Sequence, residues 1–138
     1  MPTIDNDQLR YLAQRRGEPF RVLIVDDEQW VREVFRDFCR LTEAFYVELA
    51  NTGVEAIRKV KTNRYDLITL DLIMPEMSGV EALGTIKELA PGTPVVVITG
   101  NATEKLVREA GIQGACRVMY KPVMLEEFVT EITSTLVR

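Results

Sequence analysis

The sequence predicts an α/β fold, a doubly wound, five-stranded parallel sheet in the order 2-1-3-4-5 with helices on both faces. Three observations predict it. Five short apolar runs stand out, at 22–25, 45–49, 67–70, 95–98 and 115–119. Stretches with helical spacing separate them, and strand alternating with helix implies βαβ units and a parallel sheet. The runs are also near-continuous in apolar residues, as expected of strands covered by helices on both sides. Right-handed crossovers then leave few topologies to consider.

The elements follow in order. Residues 1–19 lie outside the alternation and are expected to hold a short helix capped near Asp5 or Asn6, with Leu9 and Leu12 on one side. Gly17 and Pro19 separate it from the first strand, Val22-Leu23-Ile24-Val25. Val31, Val34, Phe35, Phe38 and Leu41 fall at steps of three and four, which gives one apolar helix face. Val54, Ile57 and Val60 repeat the pattern after the second run. Val80, Leu83, Ile86 and Leu89 or Ala90 repeat it after the third. Leu106, Val107 and Ala110 mark a shorter helix that Gly111 is expected to end. Leu125, Phe128, Val129, Ile132 and Leu136 mark the last. The organisation expected is therefore an N-terminal extension over 1–19 and one domain over 20–138.

A chain of 138 residues buries about two-thirds of its unfolded surface and needs no disulfides. Cys39 and Cys116 show no CxxC spacing and read as buried or partly buried reduced thiols. A net charge of −4 and a pI near 5.0 disfavour nucleic acid as a primary partner, since phosphate binding needs a basic face. The start, MPTIDNDQLRYL, has no apolar core of a signal peptide. No run approaches the ~20 apolar residues that span a bilayer, so a cytoplasmic location is expected. Histidine is absent, which excludes histidine triads, histidine metal sites and a phosphohistidine carrier.

In open parallel sheets, ligands bind beyond the carboxyl ends of the strands. The first run ends in Asp26 and Asp27, the third in Asp71, the fourth in Thr99 and Gly100, and the fifth is followed by Lys121 and Pro122. Taken singly, each has an ordinary explanation. Paired acids favour a helix N-terminus, an aspartate before Pro75 and Gly79 suits a turn, threonine caps and lysine is solvated. Together they place three carboxylates, one hydroxyl and one ammonium on one rim. That set suits a hard, oxygen-seeking cation, and Mg²⁺ fits better than zinc because no Cys or His stands among them. Lysine adds a point positive charge that would attract a phosphoryl group, and a carboxylate there could itself be phosphorylated.

At this point residues 20–138 resemble the receiver domain of two-component response regulators, a flavodoxin-like fold. The resemblance is carried by VDDE, DLIMPEMSG, VVVITG and KP. It implies that Asp71 accepts a phosphoryl group from a phosphohistidine on a sensor histidine kinase or a histidine phosphotransfer protein. It implies Mg²⁺ bound by Asp27, Asp71 and the Ile73 carbonyl, with Asp26 holding a metal-bound water. Thr99 would bond the phosphoryl oxygens, Gly100 would leave access, and Lys121 would pair with Asp71 and then with the phosphoryl group. The Lys121–Pro122 bond would be cis. The chain would be no enzyme beyond its own phosphorylation and dephosphorylation. It would act as a stand-alone module, since it ends at Arg138 just after the last helix, and would switch a downstream protein target or a phosphorylation-dependent homodimer. Glu28 is expected to point away with its helix.

One departure from the family pattern concerns the switch. The position three before the lysine, usually Tyr or Phe, is Val118, and the residue after the proline, often Phe, is Val123. Tyr120 shares a strand face with Val118 and is the candidate replacement ring. The departure keeps a second class in view, a receiver-fold interaction domain no longer regulated by phosphorylation. A Mg²⁺-dependent phosphatase of the haloacid dehalogenase type is a third. It usually sets its two acids two residues apart, whereas Asp26 and Asp27 are adjacent, and it has no counterpart of M-P-x-M-x-G.

Overall fold

The computed structural model describes residues 6–137, so the expected cap at Asp5 lies outside the described residues. Five parallel strands form one sheet in the order β2-β1-β3-β4-β5. They are β1 (Phe20–Val25), β2 (Phe45–Ala50), β3 (Leu67–Leu70), β4 (Val95–Thr99) and β5 (Arg117–Tyr120). Among the described residues six helices accompany them: α1 (Asn6–Arg16), α2 (Gln29–Thr42), α3 (Gly53–Thr62), α4 (Gly79–Leu89), α5 (Glu104–Ile112) and α6 (Leu125–Leu136).

The period of two along each strand divides the core. Val22, Ile24, Leu67, Val96, Ile98 and Met119 point to one face, where α2 and α6 bring Val31, Phe35, Phe128 and Ile132. The Phe35 and Phe128 rings stack there at 4.8 Å. Leu23, Val25, Ile68, Leu70, Val95 and Val97 point to the other, where α3, α4 and α5 bring Ala56, Val60, Leu83, Ile86 and Ala110.

Several expected details differ. The last strand begins at Arg117 because Ala115 N–H still bonds the Ala110 carbonyl, finishing the helix end. That helix runs through Gly111, and it is Gly114, at φ 106, that takes the left-handed turn. The buried face of α3 is Gly53, Ala56 and Val60, with Val54 exposed. Small residues there let α4 approach, for a Cβ on Gly53 would meet Ala82 Cβ at 3.2 Å. Cys39 is buried as expected, but Cys116, on the edge of the sheet, is exposed. Leu9 and Ala13 of α1 are buried with Phe20 and Ala44, so α1 closes the sheet end where β1 and β2 begin, opposite the strand ends that carry the acids.

Candidate functional site

The sheet ladder runs past the strand ends and fixes the rim. Asp26 N–H bonds the Ala50 carbonyl at 3.1 Å, Asp71 N–H the Val25 carbonyl at 3.1 Å, and Lys121 N–H the Thr99 carbonyl at 2.9 Å. Each residue therefore stands where the neighbouring strand holds its backbone. The loop after Asp71 is fixed as tightly. Gly79 N–H bonds the Leu72 carbonyl at 2.9 Å, and a Cβ at Gly79 would stand 2.4 Å from both the Asp71 carbonyl oxygen and Leu72 Cα. Only glycine admits that approach.

All of the expected side chains except that of Ile73 converge. Lys121 Nζ stands 2.7 Å from Asp26 Oδ2 and 3.0 Å from Asp71 Oδ2. The Thr99 hydroxyl donates to Asp71 Oδ1 at 3.0 Å, as does the Ile73 backbone N–H at 3.0 Å. Ile73 thus meets Asp71 through its main chain while its side chain is exposed. Asp26, Asp71 and Thr99 are buried, and Asp27 is exposed. Gly100 leaves the mouth beside Lys121 open, the nearest atom to a Cβ there being Lys121 Cδ at 3.9 Å. The Lys121–Pro122 peptide is cis. Tyr120 pairs in register with Thr99 but is 55% exposed, while Val118 leans on the core.

Burial drives the electrostatics. It raises the Asp26 carboxyl above the ordinary range, against the pull of Lys121 and of the Glu28 N–H. Burial alone would lower the Lys121 ammonium, but its hydrogen bonds to Asp26 and Asp71 outweigh that and raise it. The cation asked for by adjacent carboxylates is therefore supplied in part by the chain itself.

Carboxylate oxygens of Asp26, Asp27 and Asp71 lie within 4.8 Å of one another. An all-oxygen donor set of this charge, with one acid open to solvent, fits Mg²⁺. Glu28 departs from expectation. It does not point away with α2 but brings Oε1 to 3.8 Å from Lys121 Nζ, and nothing in the residue pattern signalled that turn.

The family model for the response regulator receiver domain matches residues 22–133. The chemotaxis protein CheY of Treponema pallidum (strain Nichols) is 36% identical over 140 residues, covering 98% of this chain and 94% of that protein. Response regulator MprA of Mycobacterium sp. (strain KMS) is 35% identical over 121 residues, 87% of this chain, which spans only 52% of MprA. Among solved structures, the CheX–CheY–BeF3–Mg²⁺ complex from Borrelia burgdorferi superposes with a TM-score of 0.84 at 30% identity, covering 91% of this chain and 95% of that one. Among the described residues no helix is long and apolar enough to cross a membrane. With its sheet order, its rim of acids and lysine, and a family match over nearly its whole length, this chain belongs to the response regulator receiver domain family of two-component signalling.

Proposed function

We propose that the chain is a phosphoacceptor switch in which Asp71 takes a phosphoryl group from a phosphohistidine on a sensor histidine kinase or histidine phosphotransfer protein. One observation carries this reading. Each oxygen of the Asp71 carboxylate has its own donor, Lys121 Nζ on Oδ2 and the Thr99 hydroxyl on Oδ1, both at 3.0 Å. The carboxylate is thereby aimed at the ligand-binding edge of the sheet.

In the transfer, an Asp71 oxygen forms the new bond to phosphorus. The phosphorus–nitrogen bond of the donor breaks, and the imidazole leaves with its electron pair. Lys121 and Thr99 then meet the phosphoryl oxygens and offset charge that builds there. Asp27, Asp71 and the Ile73 carbonyl are the residues that would hold Mg²⁺, with Asp26 bracing them. When bound, Mg²⁺ supplies further neutralisation of the phosphoryl oxygens. Drawing the Thr99 hydroxyl toward the new group shifts β4 and the loop behind it, and the altered surface selects a downstream protein. Residues 20–138 carry this machinery, and α1 braces the far end of the sheet through Leu9 and Ala13.

The test is intact-mass spectrometry after incubation with acetyl phosphate. Wild type with Mg²⁺ gains one phosphoryl group, and Asp71→Asn and Mg²⁺-free wild type gain none. Equal labelling of wild type and Asp71→Asn would refute the assignment.

A further inference from the structure

Two side chains beside Lys121 have no part in holding the phosphoryl group or Mg²⁺: Glu28 and Trp30. Glu28 occupies the N-cap of α2, yet its side chain caps none of that helix's backbone N–H groups. A carboxylate that close to the helix start is well placed to offset its dipole. Instead Oε2 accepts from the Trp30 indole Nε1 at 2.9 Å, and Oε1 faces Lys121 Nζ at 3.8 Å. The Glu28 N–H is meanwhile tied to Asp26 Oδ1 at 2.9 Å, so the main chain cannot carry the side chain away. Trp30 is 64% exposed and lines the cavity it shares with Gly100, Asn101, Lys121 and Pro122.

We propose that the Trp30–Glu28 pair is a latch on Lys121, with Glu28 a positioning residue that holds the lysine in its unphosphorylated place and slows its engagement with an incoming phosphoryl group. The proposal rests on Asp71 as phosphoacceptor. Lys121 faces three carboxylates, at 2.7, 3.0 and 3.8 Å. Asp71 is the acceptor and Asp26 belongs to the buried acid set. The third, Glu28, is half exposed and needs no neutralising partner. Its charge retains the lysine and opposes an anionic donor. The indole N–H holds the Glu28 carboxylate on the Lys121 side, so the latch depends on an uncharged contact as well as on a charged one.

The experiment measures phosphorylation rates with acetyl phosphate at saturating Mg²⁺ for wild type, Glu28→Gln, Trp30→Phe, the double variant and Asp71→Asn. Glu28→Gln and Trp30→Phe each label faster than wild type by about two- to fivefold, the range of a partly screened ion pair. The double variant is no faster than the faster single one, because both changes open the same latch. The advantage closes as salt rises. A loss of fold would slow labelling, so a faster rate cannot come from structural damage. If Trp30→Phe labels at the wild-type rate, or the advantage persists at high salt, the latch is overturned. If Asp71→Asn labels like wild type, the phosphoacceptor assignment falls and the latch with it. If Asp71→Asn is unlabelled while both variants match wild type, the latch alone falls.

Discussion

Replacing Lys121 with methionine keeps most of the side chain's length and removes its charge. The Lys121 side chain is 17% exposed, and the Asp26 and Asp71 side chains it bridges are 3% and 5% exposed. Removing one partner from a buried ion pair costs about 3–5 kcal/mol, because the other charge is left uncompensated. Lysine keeps some water contact, so the lower end applies, about 3 kcal/mol. For a domain of this size that lowers Tm by about 10 °C. The loss should depend on pH. Burial already raises the Asp26 carboxyl despite the opposing pull of Lys121, and without the lysine it rises further. The folded variant then binds protons more readily than its unfolded chain, so its deficit shrinks as pH falls from 7 toward the ordinary carboxylate range. The lysine's own contribution runs the other way. Its raised value means that stability is present at neutral pH and lost only as pH rises above 10.5. Guanidinium unfolding followed by circular dichroism, in EDTA at pH 7 and pH 5, measures the deficit and its change with pH. A variant within about 0.5 kcal/mol of wild type at pH 7, or a gap that widens at pH 5, would refute the claim that Lys121 neutralises the buried acids.

Gly79→Ala should cost about 3 kcal/mol in urea unfolding, the upper end for overpacking, because its Cβ would meet backbone atoms of the Asp71 loop at 2.4 Å. Gly92→Ala, whose Cβ would meet nothing within 4 Å, is the control, and equal effects would contradict the close approach. Thr99→Ala should still accept a phosphoryl group but lose the change in amide exchange across residues 100–123 that wild type shows. Tyr120→Ala should respond like wild type, since its ring stands 55% exposed; a lost response there would make Tyr120 the substitute ring. A thiol reagent should modify Cys116 in the native protein and Cys39 only after unfolding. Burial pushes the Cys39 thiol up to about 12 from 9.0, so stability should fall as pH rises from 9.0, where only the unfolded chain loses that proton.

The sheet order was legible because its central strands are mostly apolar on both faces and its helices carry a separate period. Val22 to Val25 face opposite layers in turn, and no residue among them is polar. The rim was legible for a related reason. Asp26, Asp71 and Lys121 each follow a strand and Thr99 ends one, so a topology alone brings them to one edge. What escaped depends on contacts that no periodic pattern encodes. Gly79 reads as turn chemistry until its distance to Leu72 is known. The exposed Val54 and the buried Gly53 reverse simple hydrophobicity because α4 needs room. Glu28 was expected to follow its helix, and it was the indole two residues on, together with Lys121, that turned it back.

The central claim is that the phosphoryl group resides on Asp71 as an acyl phosphate. Borohydride reduces an acyl phosphate to an alcohol, which converts the phosphorylated aspartate to homoserine. Treating the acetyl phosphate-labelled protein with borohydride and sequencing its peptides by mass spectrometry locates the group directly. Homoserine at position 71, and at neither 26 nor 27, is the result this account predicts. Homoserine at Asp26 or Asp27, or a phosphoryl group that survives borohydride on a serine or threonine, would contradict it.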